Sequence, residues 1–261
     1  MPPPKGAAKE FPWWLLAACA LGLWLLVSIL TDPVYGRILA IVSRGIAVTA
    51  FVTVVAFALA CALGLGLAVC VLSGSVALRQ AARFYIEIVR GIPVLVLLFY
   101  VAFVAVPALV AAWNAAGLPA LATRDISLMW RAIIALTIGY AAFVAEVFRA
   151  GIQSVDAGQI EAAKALGLTP WQRFRLIVMP QALRTILPPL GNDFIAMIKD
   201  SALVSVLGVA DITQLGKVYA AGSFRFFETY NVVTFLYLVM TVGLSLALRA
   251  LERRLRARQQ R

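Results

Sequence analysis

The stretch GQIEAAKALGLTPW, residues 158–171, is a compact polar segment in a chain that is otherwise largely apolar. Asp156 comes just before it and can cap a helix, with Gln159 at the third helical position, where a side chain reaches back to the cap. The helix would continue through three alanines, and Gly167 stands where a left-handed residue ends a helix. This pattern predicts a short helix closed by a glycine.

A second helix is predicted directly after that glycine. Thr169 is the expected cap, Pro170 suits the first helical position and Gln172 is the capping-box partner. Pro180 is expected to end this helix. The segment is therefore predicted to form two short helices broken by a glycine, lying at the membrane surface.

The two predicted helices differ in their side chains. Trp171, Phe174 and Val178 share one face of the second helix, which we expect to lie on the membrane bundle. The first helix is rich in alanine around Glu161 and Lys164, and such small side chains suit close approach by another protein. An interfacial amphipathic helix that only caps the bundle is the alternative interpretation. The small residues favour docking to a soluble partner.

The composition indicates an integral membrane protein. Of 261 residues, 63% are hydrophobic and 13% charged, with a mean hydropathy of +0.94; soluble domains are nearer half apolar and a quarter charged. The chain contains no histidine, which excludes Ser-His and Cys-His nucleophilic catalysis. The net charge of +11 does not indicate nucleic acid, because the arginines at the end of the chain directly follow an apolar run without interleaved aromatic residues.

The apolar runs predict five or six transmembrane helices. The runs are residues 11–31, 45–78, 91–123 (with a helix starting near Ala82), 132–149, 184–209 and 229–248. The fifth run is interrupted by Asp193, Lys199 and Asp200, so the count is six if it crosses the membrane and five if it is a loop. Six spans place both termini and most lysines and arginines on one side, as the positive-inside rule expects of the cytoplasm. We therefore predict six spans with residues 150–183 in the cytoplasm.

Charged residues within the spans should face the bundle interior or a cavity, because charge is costly in lipid. Lys199 and Asp200 suit the carboxylate and the ammonium of a zwitterionic amino acid, and Ser201 and Ser205 could add hydrogen bonds. The alternative is a structural ion pair, with Ser201 serving the backbone. The residues alone leave both possibilities open.

Two further charged pairs, Glu87/Arg90 and Glu146/Arg149, fall near the cytoplasmic ends of their spans at i,i+3 spacing. Interfacial pairs that hold helices together are the favoured interpretation. The functional alternative is a cytoplasmic gate, with a break at Pro93 as its hinge.

Four segments together resemble one known family. They are FYIEIVRGIPVLVLLFY (84–100), GYAAFVAEVFRAGIQSV (139–155), EAAKALGLTPWQRFRLIVMPQA (161–182) and LPPLGNDFIAMIKDSALVSVLGV (187–209). The third is similar to the EAA loop of permease subunits of binding-protein-dependent ABC importers, and the other three resemble the polar amino acid group of that family.

This resemblance implies an all-α type I importer permease fold in the bacterial inner membrane. It further implies a five-helix core in a domain of residues 45–250 with a coupling loop at 151–183, and an extra N-terminal helix at 11–31. The six-span count and the charge distribution place both termini in the cytoplasm, with tails at 1–10 and 251–261. The implied partners are two ATPase subunits, a second permease subunit (identical or related), an external binding protein and a polar amino acid. The implied coupling residues are Glu161, Ala162, Ala163 and Gly167.

We expect no enzymatic activity, cofactor or metal in this chain itself. The nearest approach to a phosphate-binding loop surrounds Gly216 and Lys217, but Asp211 replaces its first glycine and Val218 replaces the hydroxyl residue that binds magnesium. ATP and Mg²⁺ would therefore bind to the partner ATPase. The alternatives to an ATP-driven importer are a secondary carrier driven by an ion gradient and a membrane scaffold that does not transport.

Overall fold

The computed structural model of the chain describes residues 13–257. The predicted tail at residues 1–10 lies outside the described residues. The predicted basic tail lies partly outside them, and its residues 251–257 continue the last helix.

The described chain is mostly helical, with short turns and loops between the helices, and contains no strand. The helices are α1 (Trp13–Thr31), α2 (Pro33–Val42), α3 (Gly45–Leu72), α4 (Val76–Gly91), α5 (Val94–Tyr100), α6 (Val106–Ala115), α7 (Leu128–Gln153), α8 (Ala157–Ala165), α9 (Pro170–Arg173), α10 (Met179–Asp200), α11 (Ile212–Ser223) and α12 (Phe226–Ala257). A π-helical turn joins α5 to α6 (Val101–Ala105), and another joins α9 to α10 (Phe174–Val178). Short 3₁₀ helices occupy Thr123–Asp125 and Ser201–Leu207.

Four helical stretches are long and apolar enough to cross a membrane: Pro33–Leu72, Val94–Ala115, Leu128–Gln153 and Phe226–Ala250. A shorter apolar stretch covers Ala20–Thr31. The all-helical membrane fold is thus confirmed, whereas the count of six spans remains a prediction. The expected extension of the fourth run through Arg149 is also confirmed, because α7 continues to Gln153.

The centre of the bundle is the pairing of α3 with α7, and small residues make it close. Ala56, Ala60, Gly64 and Ala68 recur every fourth residue along one side of α3, and all are buried. A Cβ on Gly64 would lie 3.0 Å from the carbonyl oxygen of Ala141 in α7. Small side chains allow two membrane helices to pack backbone against backbone, where van der Waals contact replaces the hydrophobic effect as the driving force.

Helix α2 occupies a region that the apolar runs assign to a connection. Asp32 caps it by accepting a hydrogen bond from the backbone N–H of Val34, 2.7 Å away. Tyr35, Ile38 and Val42 are buried in a cluster with residues of α11 and α12. The short amphipathic pattern of α2 escapes a search for long apolar runs.

The second and third predicted spans have different bounds in the structure. The second ends at Leu72, not at residue 78, and the next helix starts at Val76 instead of near Ala82. Ser75 begins that helix, α4, by accepting a hydrogen bond from the N–H of Leu78. The helix ends at Gly91, and the expected break at Pro93 is confirmed, since α5 starts only at Val94.

The prediction that Pro180 ends a helix is wrong. Proline removes one backbone hydrogen bond and its ring clashes with the carbonyl four residues earlier. Here the helix that begins at Pro170 widens into the π-helical turn just before the proline, and the N–H of Met179 bonds to the carbonyl of Phe174 five residues back. This wider turn relieves the clash, and the helix continues through Pro180 to Asp200.

Candidate functional site

The polar segment that follows α7 has the predicted local structure at its start. Asp156 Oδ1 accepts hydrogen bonds from the N–H groups of Gly158 (2.8 Å) and Gln159 (3.3 Å), so the predicted cap of α8 is confirmed. The side chain of Gln159 accepts a hydrogen bond from Gln181 Nε2 at 2.5 Å. Gln159 therefore ties α8 to α10, a contact that its capping-box position did not predict.

Gly167 ends α8 in the left-handed conformation, with φ of 76°. The N–H of Gly167 bonds to the carbonyl of Lys164 (2.9 Å) and that of Leu168 to the carbonyl of Ala163 (3.1 Å), the two bonds of a Schellman motif. No atom lies within 4 Å of a Cβ built on Gly167. Backbone conformation, and not lack of space, is therefore what requires glycine here.

The second helix, α9, which follows Gly167, also begins as predicted. The hydroxyl of Thr169 accepts from the N–H of Gln172 (3.3 Å), and the side chain of Gln172 accepts from the N–H of Thr169 (2.8 Å). Pro170 takes the first helical position. Caps on both sides of Gly167 thus hold a bend of defined shape on the surface.

The outer face of this loop differs in part from the prediction. Ala163 is only 3% exposed and α8 lies against the following π-helical turn, whereas Glu161, Ala162 and Gly167 are exposed. Val178 packs into the bundle as expected. Trp171 does not: it is 66% exposed and stacks on Phe174 with ring centroids 5.9 Å apart.

Leu166, which is not among the predicted site residues, is 81% exposed beside Gly167. Glu161, Ala162, Leu166 and Trp171 are all exposed on this loop, and we call this set of acidic and apolar residues the loop face. Exposed aromatic side chains such as Trp171 are enriched at protein–protein interfaces, so the loop face is a candidate docking surface.

The four residues considered for substrate do not converge on one site. Asp200 accepts a hydrogen bond from Tyr140 Oη at 2.7 Å, in the interior. Lys199 is exposed, and within residues 13–257 no ion pair joins Lys199 to Asp200. The buried hydroxyl of Ser201 donates to the carbonyl of Ile198 at 2.7 Å, so it serves the backbone, and Ser205 is buried one turn further on.

Tyr140 and Asp193 complete the polar interior around Asp200. Asp193 lies seven residues before Asp200, on the same side of α10, and its Oδ2 is buried with no hydrogen-bond partner within the described chain. Tyr140 lies in α7 and is itself buried. A single tyrosine in an apolar run carries too little signal to be selected from sequence.

The structure brings both predicted charged pairs to one cavity. This cavity, which we call the arginine–glutamate cavity, has a volume of about 390 Å³ and is lined by Val71, Arg83, Glu87, Arg90, Glu146, Arg149 and Gln153. Arg149 Nη2 lies 2.5 Å from Glu146 Oε2, so that ion pair is formed. The guanidinium of Arg90 instead lies over the ring of Phe143, 5.6 Å from its centroid, and Glu87 and Arg90 are not within 4 Å of each other.

Residues 60–257 match the family of the binding-protein-dependent transport system inner membrane component. The chain belongs to this family. The match starts inside α3 and continues to the end of α12, so it includes the loop face and the arginine–glutamate cavity and leaves α1 and α2 outside.

Individual members of the family are similar over most of their length. The chain is 36% identical over 201 residues to the probable amino-acid permease protein YxeN of Bacillus subtilis, and this alignment covers 76% of this chain and 84% of that protein. It is 38% identical over 177 residues to the glutamine transport system permease protein GlnP of Escherichia coli, and this alignment covers 68% of this chain and 75% of that protein.

Solved structures of ABC transporter chains have the same fold. One, described as an amino acid ABC transporter with histidines, has a TM-score of 0.70 and 35% identity, covering 87% of this chain and 98% of that one. An inward-facing MetNI methionine ABC transporter chain has a TM-score of 0.64 at 23% identity, which supports the fold alone. The type I importer permease fold and the multi-pass location in the inner membrane are therefore established for this family member.

The segment around Gly216 has a packing role in this fold. Gly216 lies within α11, and a Cβ there would lie 2.6 Å from a methyl group of Val233 in α12. A phosphate-binding loop needs a glycine-rich turn before a helix, whereas this glycine permits two helices to touch.

Proposed function

We propose that the chain is the membrane-spanning subunit of an ATP-driven importer, which receives a polar amino acid from an extracytoplasmic binding protein and releases it into the cytoplasm. The observation that carries this proposal is the capped loop face, a rigid exposed structure in a permease whose relatives are described as amino acid permeases. A docking structure of this kind has no evident use in a carrier that works without a soluble partner.

In the proposed mechanism the loop face docks into a cleft of a cytoplasmic ATPase subunit. Glu161 supplies an exposed carboxylate for a basic residue of the ATPase, and Ala162 allows close approach. Ala163 is buried, so its part is to seat α8 on the rest of the loop, and Gly167 sets the bend. Leu166 and Trp171 add the apolar area that a coupling contact of modest size needs.

ATP and Mg²⁺ bind to the ATPase, two copies of which serve a pair of permease subunits, identical or related. This places both termini and the loop face in the cytoplasm, in keeping with the distribution of lysine and arginine. The interior group of Tyr140, Asp193 and Asp200 lies on the pathway for the substrate's cationic part. Lys199 and Ser205 are assigned to the same pathway, and Glu87, Arg90, Glu146 and Arg149 to its cytoplasmic gate.

Purification of the complex in mild detergent, followed by reconstitution in liposomes, tests the proposal. Labelled L-glutamine, L-arginine and L-cystine would be supplied with the co-purified binding protein, with and without ATP. We expect uptake that requires ATP and the ATPase subunits. Uptake by the permease alone under an ion gradient would instead support the secondary carrier, and a complex that recruits an ATPase yet never transports would support the scaffold.

A further inference from the structure

We propose that the arginine–glutamate cavity is a binding site for a zwitterionic amino acid at the cytoplasmic end of the pathway. This inference rests on the proposed function for its ligand and goes beyond it by assigning a second subsite, separate from the polar interior around Asp200. The argument depends on how the charges are arranged and on which of them are already paired.

Two helices face each other across the cavity with matching polar stripes. Arg83, Glu87 and Arg90 lie on one side of α4 at i, i+4 and i+7, whereas Ala82, Ile86 and Val89 on the neighbouring side are buried. Glu146, Arg149 and Gln153 form the facing stripe of α7. The volume of about 390 Å³ lies within the range of sites for small molecules.

Only part of this charge is neutralised within the protein. Arg149 is satisfied by Glu146 and by Gln153, whose Oε1 lies 2.7 Å from Arg149 Nη1. Arg83, Glu87 and Arg90 form no ion pair within 4 Å in the described chain, although their spacing on α4 would allow pairing. Two guanidinium groups and one carboxylate that line the cavity therefore have no ion-pair partner, and of these the Arg90 guanidinium also lies over the ring of Phe143.

This set of groups selects the chemistry of the ligand. Guanidinium groups bind carboxylates through paired, charge-assisted hydrogen bonds, and Glu87 can accept hydrogen bonds from an ammonium group. A phosphate would meet the same arginines, but Glu87 and Glu146 would repel its additional negative charge. The combination favours a zwitterion over a polyanion.

The position of the cavity connects it to the coupling loop. Gln153 is the last residue of α7, and the cap of α8 follows at Asp156. A ligand that bridges Arg83 or Arg90 to the end of α7 would hold α4 and the root of the loop together. Occupancy of the cavity would therefore oppose movement between these two elements.

The test is protection of a cysteine placed at the rim of the cavity, Gln153→Cys, in the complete complex with Cys19, Cys61 and Cys70 replaced by alanine. Modification by N-ethylmaleimide, which is uncharged, would be timed with increasing L-glutamine or L-arginine, and with inorganic phosphate in a separate arm. We expect saturable protection by an amino acid, with a rate roughly tenfold lower at about ten times its dissociation constant, and little protection by phosphate.

Three variants in this background identify the groups responsible. Arg83→Gln with Arg90→Gln should abolish protection. Glu87→Gln should weaken protection by the amino acid but not by propionate, which has no ammonium group. Arg79→Gln is the matched control, because Arg79 lies one turn earlier on α4, donates to the carbonyl of Ser73 and does not line the cavity; it should retain full protection. Co-purification of the ATPase reports that each variant is assembled.

Absence of protection in a complex that transports with ATP would overturn the assignment and leave the proposed function intact. Equal protection by phosphate, or protection that survives the double arginine substitution, would also overturn it. Saturable protection in a complex without ATP-driven uptake would support the amino acid site while contradicting the proposed importer.

Discussion

Replacing Gly167 with valine should uncouple ATP hydrolysis from uptake while the protein still inserts and assembles. At φ of 76° the residue lies in the left-handed region, where a side chain costs roughly 1–2 kcal/mol and a β-branched one is a clear outlier. Because no atom lies within 4 Å of the added Cβ, the entire effect should come from the backbone.

The expected loss of coupling can be estimated from the hydrogen bonds that the bend at Gly167 maintains. If residue 167 leaves the left-handed region, the bonds from Gly167 to Lys164 and from Leu168 to Ala163 are lost. A change of 1–2 kcal/mol alters a conformational equilibrium by a factor of roughly 5–30. We therefore expect the number of amino acids imported per ATP hydrolysed to fall roughly fivefold or more.

The assay measures ATP hydrolysis and uptake in the same proteoliposomes. Gly167→Asn should retain most of the coupling, because asparagine tolerates the left-handed region. Gly74→Val is the matched control: Gly74 also has open space around its Cβ, in the turn between α3 and α4, but its φ is not positive. Normal uptake per ATP in Gly167→Val, or an equal loss in Gly74→Val, would refute the reasoning.

Two other substitutions test packing. Gly151→Val should destabilise the purified complex by about 1–3 kcal/mol, because the valine side chain would overlap Ile186, whose Cδ1 lies 2.8 Å from the added Cβ. Adding Ile186→Ala should partly restore the temperature of thermal unfolding. Absence of any such restoration would contradict the contact. Arg131→Met should lower stability by about 3 kcal/mol, because the buried guanidinium donates to the carbonyls of Ile126 (2.9 Å), Ala102 (3.0 Å) and Thr123. Arg131→Lys should recover little of this loss, since one ammonium cannot reproduce a fork that reaches three carbonyls, and full recovery would show that charge alone matters.

Local chemistry made the loop predictable. Each of these local features, the caps at Asp156 and Thr169 and the left-handed end at Gly167, depends on hydrogen-bond partners only a few positions away. The local sequence therefore contains all the partners. The continuation through Pro180 depends on a π-helical turn that has no comparably specific sequence signal. The orientation of Trp171 depends on tertiary packing, which periodicity along one helix does not determine.

The amphipathic helices α2 and α4 are not predicted correctly from apolar runs. Helix α4 combines buried apolar residues with exposed charged ones. Its average hydropathy is therefore low, and apolar runs place its start too late. The same helix supplies three of the charges of the arginine–glutamate cavity. The spacing of the charged residues within α4 and within α7 is visible in the sequence. Only the fold shows that the two charged stripes face each other.

The continuity of the helix at Pro180 bears directly on how the proposed coupling would reach the pathway. From Pro170 to Asp200 the backbone is helical without a break, through α9, the π-helical turn and α10, a length of roughly 46 Å at 1.5 Å per residue. One end adjoins Gly167 and the loop face, and the other holds the hydrogen bond between Asp200 and Tyr140. A displacement imposed on the loop by an ATPase would therefore be carried by a single helix to the polar interior. The π-helical turn and the interior pair Pro188 and Pro189 are the points where that helix can bend. Two short helices ending at Pro180 would have needed a separate connection for the same task.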